Sequence, residues 1–294
     1  MNYLTYSYLL TPLHTGASTQ AGNLLGIARE AQTELPYIPS SSLRGKLRSS
    51  LESIAEIKSE AGSFFGERIK DGQQPTEGEV WFADATLLFF PVGSFSHQFL
   101  WITCPLWLSR WGRWLRNDKL NQLIEQWQSD LLTNGKKAIT SASGKQIYLQ
   151  GAILNEDNIK AINISNDWDI FKNIPDGNGI LDLKNKLVIL SNEDCGALVE
   201  IGLQREVRIT LDVNEKIVAN GSFRSEEAIP SETIMFFPWG MKPEKEANKT
   251  DNVRECLIKI LNDRLQFGGL EGLGRGWTEN QTIAVNKAVN KKGE

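Results

Sequence analysis

The chain has 294 residues, 40% hydrophobic and 23% charged, with 36 acidic against 32 basic side chains for a formal net charge of −4. This composition fits a soluble globular protein of one large domain, or one domain with sizeable insertions. No apolar run reaches membrane-spanning length, the first residues lack the basic-then-apolar order of a signal peptide, and three scattered cysteines give neither a disulfide framework nor a zinc pattern. A cytoplasmic protein without a membrane partner is expected, and the acidic balance counts mildly against a free nucleic-acid-binding domain.

In chain order, Tyr3 to Leu10 predicts a strand, and the polar run Thr11 to Glu34 is too long for a neutral connection. Serines after Pro39 are placed to cap a helix in which Leu43, Leu47, Leu51 and Ile54 keep helical spacing. Glu79 to Pro91 and His97 to Cys104 read as strands joined by a turn at 92–94. Pro105 starts a helix with Leu108, Trp111 and Leu115 on one face, and Trp107, Trp111 and Trp114 read as packing residues. Residues 132–179 are mixed and polar. Leu187 to Leu190, Arg205 to Val213 and Lys216 to Phe223 read as strands, the last two as a hairpin about Val213–Lys216. A helix from Asn252 to Leu265, a glycine-rich loop, a strand from Trp277 to Val285 and a polar tail, 286–294, complete the chain.

The strongest elements run strand, helix, two strands, helix, strand. This predicts an α+β fold with a ferredoxin-like (RRM-like) βαββαβ core and large insertions.

The stretch 268–276 holds five glycines in nine residues. Glycine costs backbone entropy, so such density marks unusual backbone angles or a close approach to the main chain. The amides of Gly268, Gly269 and Gly274, with Arg275, make an anion grip. A second one is the start of the first helix, where Ser40, Ser41 and Ser42 offer hydroxyls and amides and Arg44, Lys46 and Arg48 add charge. Gly45 inside that helix costs roughly 1 kcal/mol, which close approach by another element or a ligand would explain. With Arg29 these groups form a track for a polyanionic backbone. His14, before Gly16, could serve as a general base, but no catalytic partner stands at a useful spacing, and a hydrogen-bonded structural role fits it better. The glycine-rich loop lacks a P-loop ending and precedes a strand where a dinucleotide fingerprint would follow one. Asp84 and Asp182 are isolated acids rather than metal ligands.

Several segments match one family together: Leu13–Gly16, Ala28–Glu30, Leu35–Arg48, Phe82–Val92, Trp101–Leu106, Glu226–Pro230 and Gly268–Trp277. The chain resembles the repeated backbone subunits of type III-B (Cmr) CRISPR effector complexes, RAMP-superfamily proteins of the Cas-seven group, outside roughly 117–180. The resemblance implies a single RAMP domain over 1–294, with an insertion at 117–180 and a projecting β-hairpin thumb within 191–230. It further implies copies stacked head to tail along a guide crRNA that pairs with target RNA, beside other subunits of the type III complex. His14, Gly16, Arg29, Ser40, Ser41, Ser42, Arg44, Lys46, Arg48, Gly268, Gly269, Gly274 and Arg275 are the implied RNA contacts.

One departure bears on activity. Target-cutting members of the family carry an Asp six residues before the Glu of the Arg-Glu pair. Counting back from Glu30 reaches Leu24, beside Asn23, and no Asp or Glu occurs from Leu13 to Arg29. Neither an amide nor an alkyl group can hold a metal ion or take a proton as a carboxylate does. Target cleavage is therefore expected to be weak or absent, with no cofactor needed unless cleavage occurs, when a divalent ion such as Mg would be. The competing readings are an active endoribonuclease, cutting target near Asn23 or processing guide RNA with His14, and a protein–protein adaptor that binds no RNA.

Overall fold

The computed structural model describes residues 2–16, 24–67, 74, 76–175, 182–209, 223–242 and 247–285, without the side chains of 247–250. It opens with β1 (Asn2–Leu9), the two-residue β2 (Leu24–Leu25), helix α1 (Ser40–Glu52) and the short α2 (Ala61–Phe65). Strands β3 (Val80–Phe82), β4 (Thr86–Ser94) and β5 (Gln98–Thr103) lead to helices α3 (Pro105–Leu115) and α4 (Asp118–Leu132). Four short strands follow, β6 (Ala138–Thr140), β7 (Gln146–Leu149), β8 (Ala152–Asn155) and β9 (Ile159–Ala161), then α5 (Trp168–Phe171), β10 (Leu187–Ile189) and α6 (Asn192–Gly202). The last elements are β11 (Gln204–Arg208), β12 (Arg224–Ala228), β13 (Ile234–Met241), α7 (Ala247–Ile260), β14 (Arg264–Gln266) and β15 (Trp277–Val285).

A large mixed sheet organises these elements in the order β14-β15-β1-β13-β4-β5-β10-β6-β9, with β3 also on β13. Strand β1 sits inside it, antiparallel to both β13 and β15. Its side chains alternate between two cores. Tyr3 and Leu9 join Leu43, Leu47 and Leu51 of α1 and Val253 and Leu257 of α7. Leu4, Tyr6 and Tyr8 join Leu108 and Trp111 of α3 and Ile124 and Trp127 of α4. Helices therefore cover both faces of the sheet, which is why β1 and β13 are buried on both sides, Thr5 and Ser7 of β1 included. No helix among the described residues is long and apolar enough to cross a membrane.

The strand beside β1 is not one that the sequence pattern singles out. Gln98–Thr103 pairs with β4 and β10, and the place next to β1 is taken by β13, Ile-Met-Phe-Phe-Pro-Trp-Gly-Met. Pro238 obscures that strand, because proline cannot donate to a ladder and demotes a run that contains it. The structure accommodates the missing N–H by interrupting the partner. The expected strand 79–91 splits into β3 and β4, with Ala83 donating to the Pro238 carbonyl and Asp84 released from the sheet. Residues 92–94, expected as a turn, stay in β4, and the turn falls at 95–97. The helix expected over 252–265 ends at Ile260, since Leu265 is drawn into β14 opposite Thr278. In the stretch 117–180, Asn117 caps an unforeseen helix, α4, by accepting from the Leu120 amide at 3.0 Å. Asn23, the Val213–Lys216 turn, residues 210–222 and the tail 286–294 lie outside the described residues.

Candidate nucleic-acid interface

Three of the segments singled out in the sequence meet at the carboxyl end of β1. The chain leaving β1 pairs back along the segment after β12, Leu13 and Ile229 exchanging both backbone hydrogen bonds at 2.8 Å. On its other side it holds the glycine-rich loop: the Gly269 amide donates to the His14 carbonyl at 2.8 Å and the Gly276 amide to that of Pro12 at 2.9 Å. The approach is close enough to explain the glycines. A Cβ on Gly268 (φ +81°) would lie 2.3 Å from the His14 carbonyl oxygen, and one on Gly276 (φ +79°) 1.9 Å from that of Phe267. Gly274 also has positive φ, at +75°, but faces open space. What approaches the main chain here is the protein itself.

His14 is structural in this setting. It is buried, and its Nδ1 lies 2.8 Å from the Glu227 carbonyl oxygen. That oxygen only accepts, so Nδ1 carries the proton and the ring is held as a donor at the join of three segments.

Arg29 and Arg275 do not lie open for a phosphate. Arg29 donates to Glu200 at 2.7 Å and to the buried Glu227 at 2.9 Å. Arg205 reaches the same two carboxylates at 2.5 and 3.2 Å. Arg208 takes Glu226 at 2.7 Å and Glu206 at 3.4 Å, and Arg275, 6% exposed, takes Glu206 at 2.5 Å. Four arginines and four glutamates thus lace together α6, β11, β12, the Arg29 segment and the glycine-rich loop, beside β2, which pairs with Ser225 and Glu226. Burial works against the charge of Glu200, but hydrogen bonds from Arg29 and Arg205 outweigh it and lower its pKa. The Arg275 guanidinium likewise holds Glu206 below the usual carboxylate range, against burial. Burial tends to lower the pKa of Arg29, and Glu200 and Glu227 raise it on balance. The sequence reading missed these four carboxylates. Their signal is the run of alternating charge Gln204-Arg-Glu-Val-Arg208 facing Glu226-Glu227, visible only once the register is known.

Helix α1 begins differently from expectation. Its N-cap is Pro39 with no side-chain cap, and the Ser40 amide instead donates to Asp84 Oδ1 at 2.6 Å. The acid released by the strand break therefore takes the place at the helix N-terminus that the serines were expected to fill. Ser41 is exposed and Ser42 half-buried. Arg44 donates to the carbonyls of Val80 (2.6 Å) and Phe65 (2.7 Å), and Arg48 pairs with Glu52 at 2.9 Å along the helix. Lys46 Nζ reaches Glu271 of the glycine-rich loop at 3.8 Å, so the helix and that loop flank one surface. Gly16, Ser41, Gly45, Gly272 and Gly274 are exposed. A Cβ at Gly45 would meet nothing within 4 Å among the described residues, so none of these makes the tight approach expected there.

A divalent ion does not fit the carboxylates of this region. Glu200, Glu206, Glu226 and Glu227 are each satisfied by guanidinium, and Glu30 is held by Arg110 at 2.8 Å. Among the described residues no cluster of three or more metal-ligating side chains occurs.

Comparison with known proteins places this geometry. The chain is 29% identical over 300 residues to the CRISPR system Cmr endoribonuclease Cmr4 of Pyrococcus furiosus, a match spanning 99% of this chain and 98% of that one. Its fold is that of a chain in the type III-B Cmr-beta complex in the apo state, with TM-score 0.74 at 22% identity over 96% of this chain and 97% of that one. It is also that of oligomeric Cmr4 from Pyrococcus furiosus, with TM-score 0.68 at 23% identity over 97% and 99%. The RAMP superfamily profile matches residues 8–279, and the chain belongs to that superfamily.

Proposed function

We propose that this chain is a repeated backbone subunit of a type III-B RNA-guided effector complex. Copies stack head to tail, hold the phosphates of a guide crRNA and leave its bases free to pair with target RNA. The end-to-end likeness to the Cmr4 endoribonuclease carries this reading. The contact of Lys46 on α1 with Glu271 of the glycine-rich loop supports it, since it brings together two segments that the resemblance implies as RNA contacts. A ferredoxin-like core is supported by the order β15-β1-β13-β4, in which α1 joins β1 to β4 and α7 joins β13 to β15. The paired β11 and β12 form the root of the thumb proposed for 191–230, and 117–180 is the insertion.

Target cleavage by this subunit is weak or lost. The loop that would carry the acid ends at β2, where Leu24 and Leu25 lie along Ser225 and Glu226, and Glu226 is already committed to Arg208. The test is to assemble the complex with a matched guide, add labelled target and Mg, and follow fragments. Target retained intact in a salt-sensitive complex is expected. Regularly spaced fragments abolished by Asn23→Ala would overturn the reading. Guide processing by His14 is countered by the burial of its ring against Glu227.

A further inference from the structure

A cleft of about 680 Å³ opens beside α1, away from the laced carboxylates, lined by Ser40, Ser41, Arg44, Arg48, Trp81 and Lys242 among others. Its floor is the end of a continuous stack. Tyr3 lies on Trp239 (centroids 4.6 Å apart), Trp239 on Phe82 (6.0 Å) and Phe82 on Phe65 (6.0 Å), all within 25° of parallel. The guanidinium of Arg44 completes the stack, 5.3 Å from the Phe65 ring centroid. Its two terminal nitrogens each donate one bond, to the Val80 and Phe65 carbonyls, which orients the group, and no ion pair of Arg44 with a carboxylate occurs among the described residues. Two backbone features press the site into shape. Gly78 passes so close that a Cβ there would lie 2.5 Å from Arg44, and Trp81 lies against Gly240, where a Cβ would come within 2.9 Å of the indole.

A guanidinium held over an aromatic ring at the wall of an open cleft can take a second flat group against it. We propose that this cleft seats one unpaired RNA base, stacked on Arg44; the cations at its rim, Arg48 and Lys242, are already paired with Glu52 and Glu77, so the base and not the phosphates carries the contact. The size suits a single nucleotide, since pockets for small ligands run to roughly 300–1,000 Å³. The chemistry is that of single-stranded RNA recognition, in which splayed bases stack on aromatic rings or guanidinium planes and take hydrogen bonds at their edges. Ser40, Ser41 and Thr76 line the cleft and supply edge partners. Free phosphate is the poorer occupant, because Glu67 and Glu77 also line the cleft and would repel a second anion. The proposal rests on the reading that RNA runs along this chain. The base belongs to the guide or to the target strand.

The test uses the full chain at low salt and two labelled oligoribonucleotides of equal charge, one with bases and one abasic. The base-bearing strand is expected to bind about 5- to 100-fold more tightly, as stacking of one base supplies. Arg44→Lys keeps the charge without the flat face and is expected to bring the ratio of the two affinities towards one. A second measurement needs no variant. In the assembled complex, 4-thiouridine placed in either strand is expected to crosslink to peptides containing Arg44 or Trp81, and the strand that does so is the source of the base. RNA binding that ignores the bases overturns the proposal alone. So do crosslinks confined to other segments. No RNA binding by chain or complex overturns the proposed function, and this inference with it.

Discussion

The pair Arg275–Glu206 separates a structural arginine from an RNA contact, because its two partners sit in unequal surroundings. The Arg275 side chain is 7% exposed and that of Glu206 37%. Removing one partner of a fully buried pair costs about 3–5 kcal/mol, since the other is left charged and dry. Glu206→Gln leaves the enclosed guanidinium facing an amide, and with water at the rim of the site roughly 2 kcal/mol is expected. Arg275→Met keeps the packing of the stem and leaves Glu206 to solvent and to Arg208, so about 0.5–1 kcal/mol is expected. The double variant should lie close to Arg275→Met alone, giving a coupling of about 1–2 kcal/mol. Urea unfolding followed by tryptophan fluorescence measures all four proteins. The same series has a pH signature. Glu206 is held below its ordinary value, so its stabilisation is complete above the usual glutamate range and is lost as pH falls through the lowered value. The gap between wild type and Glu206→Gln should therefore narrow in acid. Equal costs for the two single variants, or strict additivity, would refute the reasoning and return Arg275 to the RNA.

Glycine substitutions should divide by position within one loop. Gly276→Ala meets both positive φ and a carbonyl 1.9 Å away, and should cost 3 kcal/mol or more. Gly272→Ala, with nothing within 4 Å and an ordinary φ, should shift stability by about 0.5 kcal/mol at most. Thermal melts that fail to separate the two would contradict the packing described for Pro12 and His14. At the start of α1, Asp84→Ala should cost about 1 kcal/mol by urea unfolding, while Ser40→Ala should cost nearly nothing. The reverse order would restore the serine as the cap.

Strands β1, β10 and β15 were legible from runs of strand-forming residues and helices α1 and α3 from helical spacing, and β13 was not. Its residues from Ile234 to Gly240 are all buried, as are those of β10, but Pro238 argues against a strand that in fact adapts to it. The site divides in the same way. That Arg29 and Arg275 bear on something anionic was readable from residue type and loop chemistry. That the anions are Glu200, Glu227 and Glu206 was not, since the Arg29–Glu200 contact joins residues 171 apart in sequence. Local pattern shows which face a side chain takes, and only register and long-range packing show what has already claimed its charge. Asp84 is the clearest instance. Read as an isolated acid, it owes its role to a proline on a strand that the pattern passes over.

The internal use of arginine also bears on how an acidic chain could hold RNA. Arg29, Arg205, Arg208 and Arg275 are neutralised where they stand, so they add rigidity to the root of β11 and β12 and little to the field that an approaching phosphate meets. Among the described residues, the cations on the α1 side include Arg44 with no ion pair to a carboxylate, Lys46 at 3.8 Å from the exposed Glu271, Arg48 tied to Glu52 and Lys242 tied to Glu77. With one to three phosphates neutralised per copy, single-stranded RNA would give a salt slope of only about −0.7 to −2. A lone copy so equipped binds weakly. Under the proposed function the strand runs over successive copies, each further contact is made at high effective concentration, and affinity accumulates along the stack. Retention of the guide then belongs to the filament rather than to any one subunit, and a net charge of −4 is no obstacle to it.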